Sequence, residues 1–155
     1  MKKFLKIFLL LLIAGFIILQ FYQPEKNTGE QLTEQGLIWS TDIAPELGEK
    51  FMISCYDCHS DNTRYPFYGY ISPISWLLHK HISEGKERLN FSRWALYSEK
   101  DKISLLIEIC DETSSGTMPL PIYTKLHKDA NLSVDDIFQI CEWTEQEIEN
   151  IIGGE

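Results

Sequence analysis

From Ile7 to Leu19 the chain carries no polar side chain; Lys2, Lys3 and Lys6 stand before this run, and Phe21 and Tyr22 follow Gln20. A stretch that is apolar on every face suits lipid better than one side of a core helix. Residues 1–22 are therefore expected to be a membrane anchor or signal segment. No small residues stand at cleavage-site spacing in Leu19-Gln20-Phe21-Tyr22-Gln23-Pro24, which favours an uncleaved anchor. A span takes about 20 residues, so this one requires Lys6 to snorkel. Three lysines before the run against Lys26 beyond it predict a single pass of the cytoplasmic membrane, with the rest of the chain on the periplasmic or external side.

Residues 23–40 are mostly polar and punctuated by Pro24, Gly29 and Gly36, the pattern of a linker, and a folded domain is expected over 41–155. Ile43, Leu47, Phe51 and Ile53 or Cys55 predict a first helix capped by Thr41 or Asp42. Turn formers and aromatics from Asp61 to Ser72 predict irregular chain laid over a flat apolar surface. Pro73 opens a helix with one face marked by Ile74, Leu77, Leu78, His81 and Ile82, and with Gly85 weakening its end. Asn90 or Ser92 caps a short segment with Trp94 and Leu96. Ile103, Leu106, Ile107 and Cys110 then mark a further helix that stops at 113–116, before a fixed loop Met118-Pro119-Leu120-Pro121. Ser133 and Asp136 form a capping box for a last helix with the stripe Val134, Ile137, Phe138 and Cys141, extended by Ile148, Ile151 and Ile152. No stretch alternates apolar and polar positions over a strand length, so the class is all-α.

The formal net charge of −9 falls entirely beyond the lysine-rich N-terminus, and its sign excludes nucleic acid as a partner. The chemistry is concentrated in Cys55-Tyr56-Asp57-Cys58-His59. Two thiols three positions apart can form thioethers with the vinyl groups of a haem, and the adjacent imidazole then reaches the iron, so this pattern reads as haem c attachment. A thioredoxin-like pair would need a βαβ setting, and a tetrahedral zinc site would need further ligands at short spacing; neither is present. Cys55 and Cys58 are the candidate attachment sites and His59 the proximal ligand. For the opposite side of the iron Met118 is the first choice, since methionine opposite histidine is the ligation of electron-carrying cytochromes. His81 is the alternative; His79 falls nearer solvent, and His127 reads as a polar surface residue. Cys110 and Cys141 lie on the apolar stripes of their helices, where a disulfide and two buried thiols are both open.

Beyond the motif, several blocks resemble the bacterial haem-binding domain family of single-haem proteins: Cys55–Ser60 with Asn62-Thr63-Arg64-Tyr65-Pro66; Pro73-Ile74-Ser75-Trp76; His81–Lys86; Asn90-Phe91-Ser92-Arg93-Trp94; and Met118-Pro119 with Tyr123 through Leu132. The resemblance implies a small cytochrome c-like helical domain, usually tethered to a membrane outside the cytoplasm. It keeps His81 and His127 in play beside Met118. Lys128 stands where the family would have proline. The expected function is one-electron transfer through one covalently bound haem, with redox proteins as partners and no catalytic base. The alternative is a haem-based peroxidase or gas sensor with an open or labile distal site.

Overall fold

The computed structural model describes residues 1–30 and 32–154. Among the described residues eight α-helices follow one another: α1 Lys2–Leu19, α2 Leu37–Ser40, α3 Pro45–Ser54, α4 Tyr56–His59, α5 Ile74–Arg88, α6 Glu99–Ser114, α7 Pro121–Leu126 and α8 Val134–Gly153. Single 3₁₀ segments lie at Phe67–Tyr70, Phe91–Leu96 and Lys128–Ala130. Among the described residues the extended chain amounts to one antiparallel bridge, Thr28 to Asn62, so the all-α expectation holds.

The core forms where α3, α6 and α8 meet the 91–96 segment. Phe51 stands edge-on to both Trp143 and Phe91, at 5.3 and 5.7 Å, and Tyr56 stacks on Phe91 at 5.1 Å. Each such pair adds roughly 0.5–1.5 kcal/mol to the burial of its rings. Cys110 and Cys141 form a disulfide that joins α6 to α8 across 31 residues. A closed loop of that length is worth about 3–4 kcal/mol through the unfolded chain.

Several sequence expectations shift in register. The first helix starts at Pro45, which supplies the first-turn φ without needing its missing N–H, and not after Thr41 or Asp42. On α6 the buried face is Leu105, Leu106, Ile109 and Thr113, leaving Ile107 exposed. On α8 the capping box is present, but Ile140, Trp143, Thr144 and Glu147 are buried while Val134 and Phe138 face outward. Both helices carry more apolar positions than one core face can use, and the neighbours they meet select the stripe.

The N-terminal expectations change more. Helix α1 ends at Leu19, carries Lys2, Lys3 and Lys6, and buries no residue. Among the described residues no helix is long and apolar enough to cross a membrane, which corrects the single-pass anchor over 1–22. The physical reason is charge: Lys2, Lys3 and Lys6 fall within the 18 residues of α1, and the uncharged run left, Ile7 to Leu19, rises about 20 Å at about 1.5 Å per residue, short of a hydrocarbon core of about 30 Å. Nor are residues 23–40 a slack tether. Gly29 N–H donates to Asp61 O at 2.7 Å, Ala95 N–H donates to Gln35 O at 2.8 Å, and Leu37 is fully buried.

Candidate haem site

The backbone kinks at Cys55, which closes α3 and leads directly into the single turn of α4. That turn presents Cys55, Cys58 and His59 on one side. On the other, Asp57 is buried and fully engaged: Oδ1 accepts from Arg64 N and Nε, both at 3.1 Å, and Oδ2 accepts from Tyr123 OH at 2.8 Å and Arg64 Nη2 at 3.3 Å. Thr63 Oγ1 donates to Asp57 O at 2.7 Å. The turn from Cys55 to His59 is thereby held from behind by the segment that follows it and by α7.

Helix α5 packs across the same turn at Gly85. A Cβ there would stand 2.8 Å from Cys58 O and 3.4 Å from Cys58 Cβ, so the close crossing requires glycine. Gly85 is thus the contact point of a helix that runs on to Arg88, not a weak end.

A cleft of two lobes, each about 320 Å³, opens beside Cys55 and His59. Ser54, Cys55, His59, Arg88, Met118 and Pro119 line both lobes. The first lobe is walled by Phe51, Leu89, Phe91 and Ile109, and the second by Cys58, His81, Gly85, Leu120 and Tyr123. Cys55, Cys58, His59, Met118 and His81 therefore surround one cleft. His79 lies elsewhere, exposed beside a polar hollow, and His127 lies behind α4, where it stacks on Tyr123 at 4.3 Å and meets Tyr68 OH through Nε2 at 2.7 Å.

The electrostatics of the cleft favour neutral groups. His59 Nδ1 lies 3.1 Å from Leu89 O. A carbonyl can only accept, so Nδ1 carries the hydrogen and Nε2 keeps its lone pair free for a metal. Burial holds the imidazole below its ordinary pKa, with the Leu89 and Gly85 carbonyls opposing, so it stays unprotonated near neutrality. Both thiols are free. Burial pushes Cys55 up to about 12, with the charge of Cys58 adding, and Cys58 up to about 11, with Asp57 adding. Thiols so strongly protonated are poor thiolate ligands and poor redox nucleophiles. Among the described residues no three His, Cys, Asp or Glu side chains gather in a way that could hold a bare metal ion.

The residues present fit a flat, largely apolar ring with a metal at its centre. One imidazole lone pair and one thioether lie along the cleft, aromatic and aliphatic side chains make its walls, and two thiols stand at its edge. Ser54 Oγ, buried between both lobes, has no hydrogen-bond partner among the described residues. Arg88 bridges the mouth to Glu108, donating from Nε at 3.0 Å and Nη2 at 2.5 Å. The aromatics of 61–72 do not wrap this cleft as expected: Phe67 and Tyr70 face outward, and Tyr68 alone of that run lines a smaller hollow beside Cys58. Sequence reading passed over Asp57, Arg64 and Tyr123 as a unit, since their contacts join positions up to 66 residues apart; the one available signal was that all three fall in the family blocks.

No curated protein and no solved structure matches the chain. A family model does: that of the haem-binding domain matches residues 14–146, a span that contains every residue lining the cleft, and the chain belongs to the haem-binding domain family.

Proposed function

We propose that this chain is a c-type cytochrome that carries one covalently attached haem c and transfers single electrons outside the cytoplasmic membrane. The observation that carries the reading is the pairing of His59 with Met118: an imidazole fixed in the tautomer a metal needs, and a thioether lining both lobes that the imidazole lines. Bound there, the haem iron would supply the one-electron couple. Cys55 and Cys58, held as thiols, would fix the haem at its edge as thioethers, each supplying the sulfur and the hydrogen of its own S–H. Phe51, Leu89, Phe91 and Ile109 exclude water from one side, and Asp57 with Arg64 and Tyr123 keeps the attachment turn in place. No residue in this scheme moves a proton, which suits a carrier.

Two features support the location. The Cys110–Cys141 disulfide suits an oxidising compartment, and α1, with no buried residue, suits contact with lipid. Redox proteins remain the proposed partners. One observation favours the second reading, a peroxidase or gas sensor: His81 lines the second lobe beside Met118, where a distal base would act.

Optical spectra of the loaded protein separate the two. The carrier predicts a sulfur-to-iron charge-transfer band in the oxidised form, no carbon monoxide binding when reduced, and loss of that band with gain of carbon monoxide binding in Met118→Ala. Carbon monoxide binding by the unaltered protein, or unchanged spectra in Met118→Ala beside altered ones in His81→Ala, would displace Met118.

A further inference from the structure

The end of α1 is fastened to the domain. Gln20 makes a two-way bond with the backbone of Ser72, its Oε1 accepting from Ser72 N at 3.0 Å and its Nε2 donating to Ser72 O at 3.1 Å. Gln23 Nε2 donates to Ser72 Oγ at 2.9 Å, and Trp76 Nε1 donates to Tyr22 O at 2.7 Å. Lys26 donates to Gly69 O and lies over the rings of Tyr65 and Tyr70, at 4.3 and 4.4 Å. The segment that leaves α1 is thus bonded to Ser72, Trp76 and Gly69, so a surface that holds α1 lies beside the face of the domain from which it emerges.

That face is largely apolar, with Asp129 exposed at its edge beside Tyr65 and Pro66. Phe67 is 80% exposed, Tyr70 58%, Leu77 52% and Ile122 56%. The two segments that build it, 65–78 and 119–128, contain no Asp or Glu in a chain of net charge −9, yet they contain Lys125 and Lys128. The hollow between them, lined by Ile74, Leu77, Ile122 and Leu126, reaches inward to Cys58. Tyrosine and tryptophan rings with a wet end and an apolar body are at home in the headgroup region of a bilayer, and lysines there meet anionic lipid.

We propose that this collar around the exit of α1 rests on the lipid headgroup layer, so that the Cys58 edge of the haem cleft opens toward the membrane and not toward bulk water. The proposal rests on the reading that α1 meets lipid, and its test separates the two. The full haem-loaded chain is reconstituted in vesicles of phosphatidylcholine and phosphatidylglycerol, with a photo-crosslinking benzoylphenylalanine placed singly at Phe8, Tyr70, Leu77 or Ile152, all exposed positions. Ile152 lies on α8, which packs on α6 and α3 and serves as the remote control. Mass spectrometry after illumination should find lipid adducts at Tyr70 and Leu77 at the level seen at Phe8, and a loss of them at Ile152. Adducts at Phe8 without adducts at Tyr70 and Leu77 would overturn the collar and leave membrane association standing. Crosslinks from Tyr70 or Leu77 to a second copy of the chain would assign the face to self-association instead. Absence of lipid adducts even at Phe8 would overturn both readings.

Discussion

Asp57 decides how the two cysteines are presented, because it lies between them and turns the other way. Its carboxylate collects four hydrogen bonds from Arg64 and Tyr123 while 8% of its side chain reaches solvent. The Arg64 side chain is 53% exposed, so its charge keeps most of its hydration and the ion pair alone contributes little. The larger share is the bond from Tyr123 together with the Arg64 backbone N–H, groups that lose their partner if the carboxylate goes. Asp57→Ala should cost about 2 kcal/mol, read as a lowered urea midpoint at unchanged slope. Asp57→Asn keeps an acceptor for one of the two partners and should cost about half as much. A midpoint unchanged in both variants would show that the turn is held by Thr63 and Gly85 alone.

Between elements, Asp61 takes the part that Asp57 takes within the turn. Its Oδ1 meets Lys86 Nζ on α5 and Asn90 Nδ2, both at 2.9 Å, and its Oδ2 meets Arg93 Nε at 2.9 Å. Burial alone would raise its pKa, but the bonds from Lys86, Asn90 and Arg93 outweigh that and hold it below the ordinary 3.8. A carboxylate depressed in the folded state contributes stability that is whole above the unfolded value and drains away as pH falls through the folded one. The melting temperature of the unaltered protein should therefore drop as pH falls below about 4, and Asp61→Asn should show a shallower drop over the same range. Parallel acid limbs would mean that Asp61 is no hub. None of this was legible in the sequence, where Asp61 reads as a turn former. What was legible is whatever local chemistry dictates: the capping box at Ser133, the absence of strands among the described residues, and the family blocks that mark a haem-binding domain. Helix faces were misread where apolar residues outnumber the positions one face can bury, as with Ile107 on α6 and Val134 and Phe138 on α8, which are exposed; on α5, Ile74, Leu77 and His81 do share a face, but it lines the hollow beside Cys58. Residues 23–40 were misread because their anchoring groups are backbone amides and a single Leu37, which leave no periodic trace.

Taken as one body, the molecule has a core that α3, α6 and α8 complete on one side only; on the other, Phe51, Leu89, Phe91 and Ile109 face the cleft. The haem would be a structural member as well as the functional one, and the chain without it should be measurably weaker. A sealed cavity of 320 Å³ would cost about 8 kcal/mol at about 24 cal/mol per Å³. The cleft is open to water, so less than half of that, about 3 kcal/mol, is the expected difference, or roughly 6–12 °C in melting temperature for a chain of this size. The comparison needs the loaded protein and the double variant Cys55→Ala, Cys58→Ala purified without haem, both with the Cys110–Cys141 disulfide intact. Hydrogen exchange locates the effect: the backbone from 85 to 91 and from 112 to 120, which supplies Leu89 O, Arg88 and Met118 to the cleft, should exchange faster in the variant, while α8 keeps its protection. Equal melting temperatures with equal exchange would mean that the cleft is rigid by itself and that haem enters a finished site. A fall in both α8 and the cleft segments would mean that the haem organises the whole core, a stronger dependence than the one-sided packing implies.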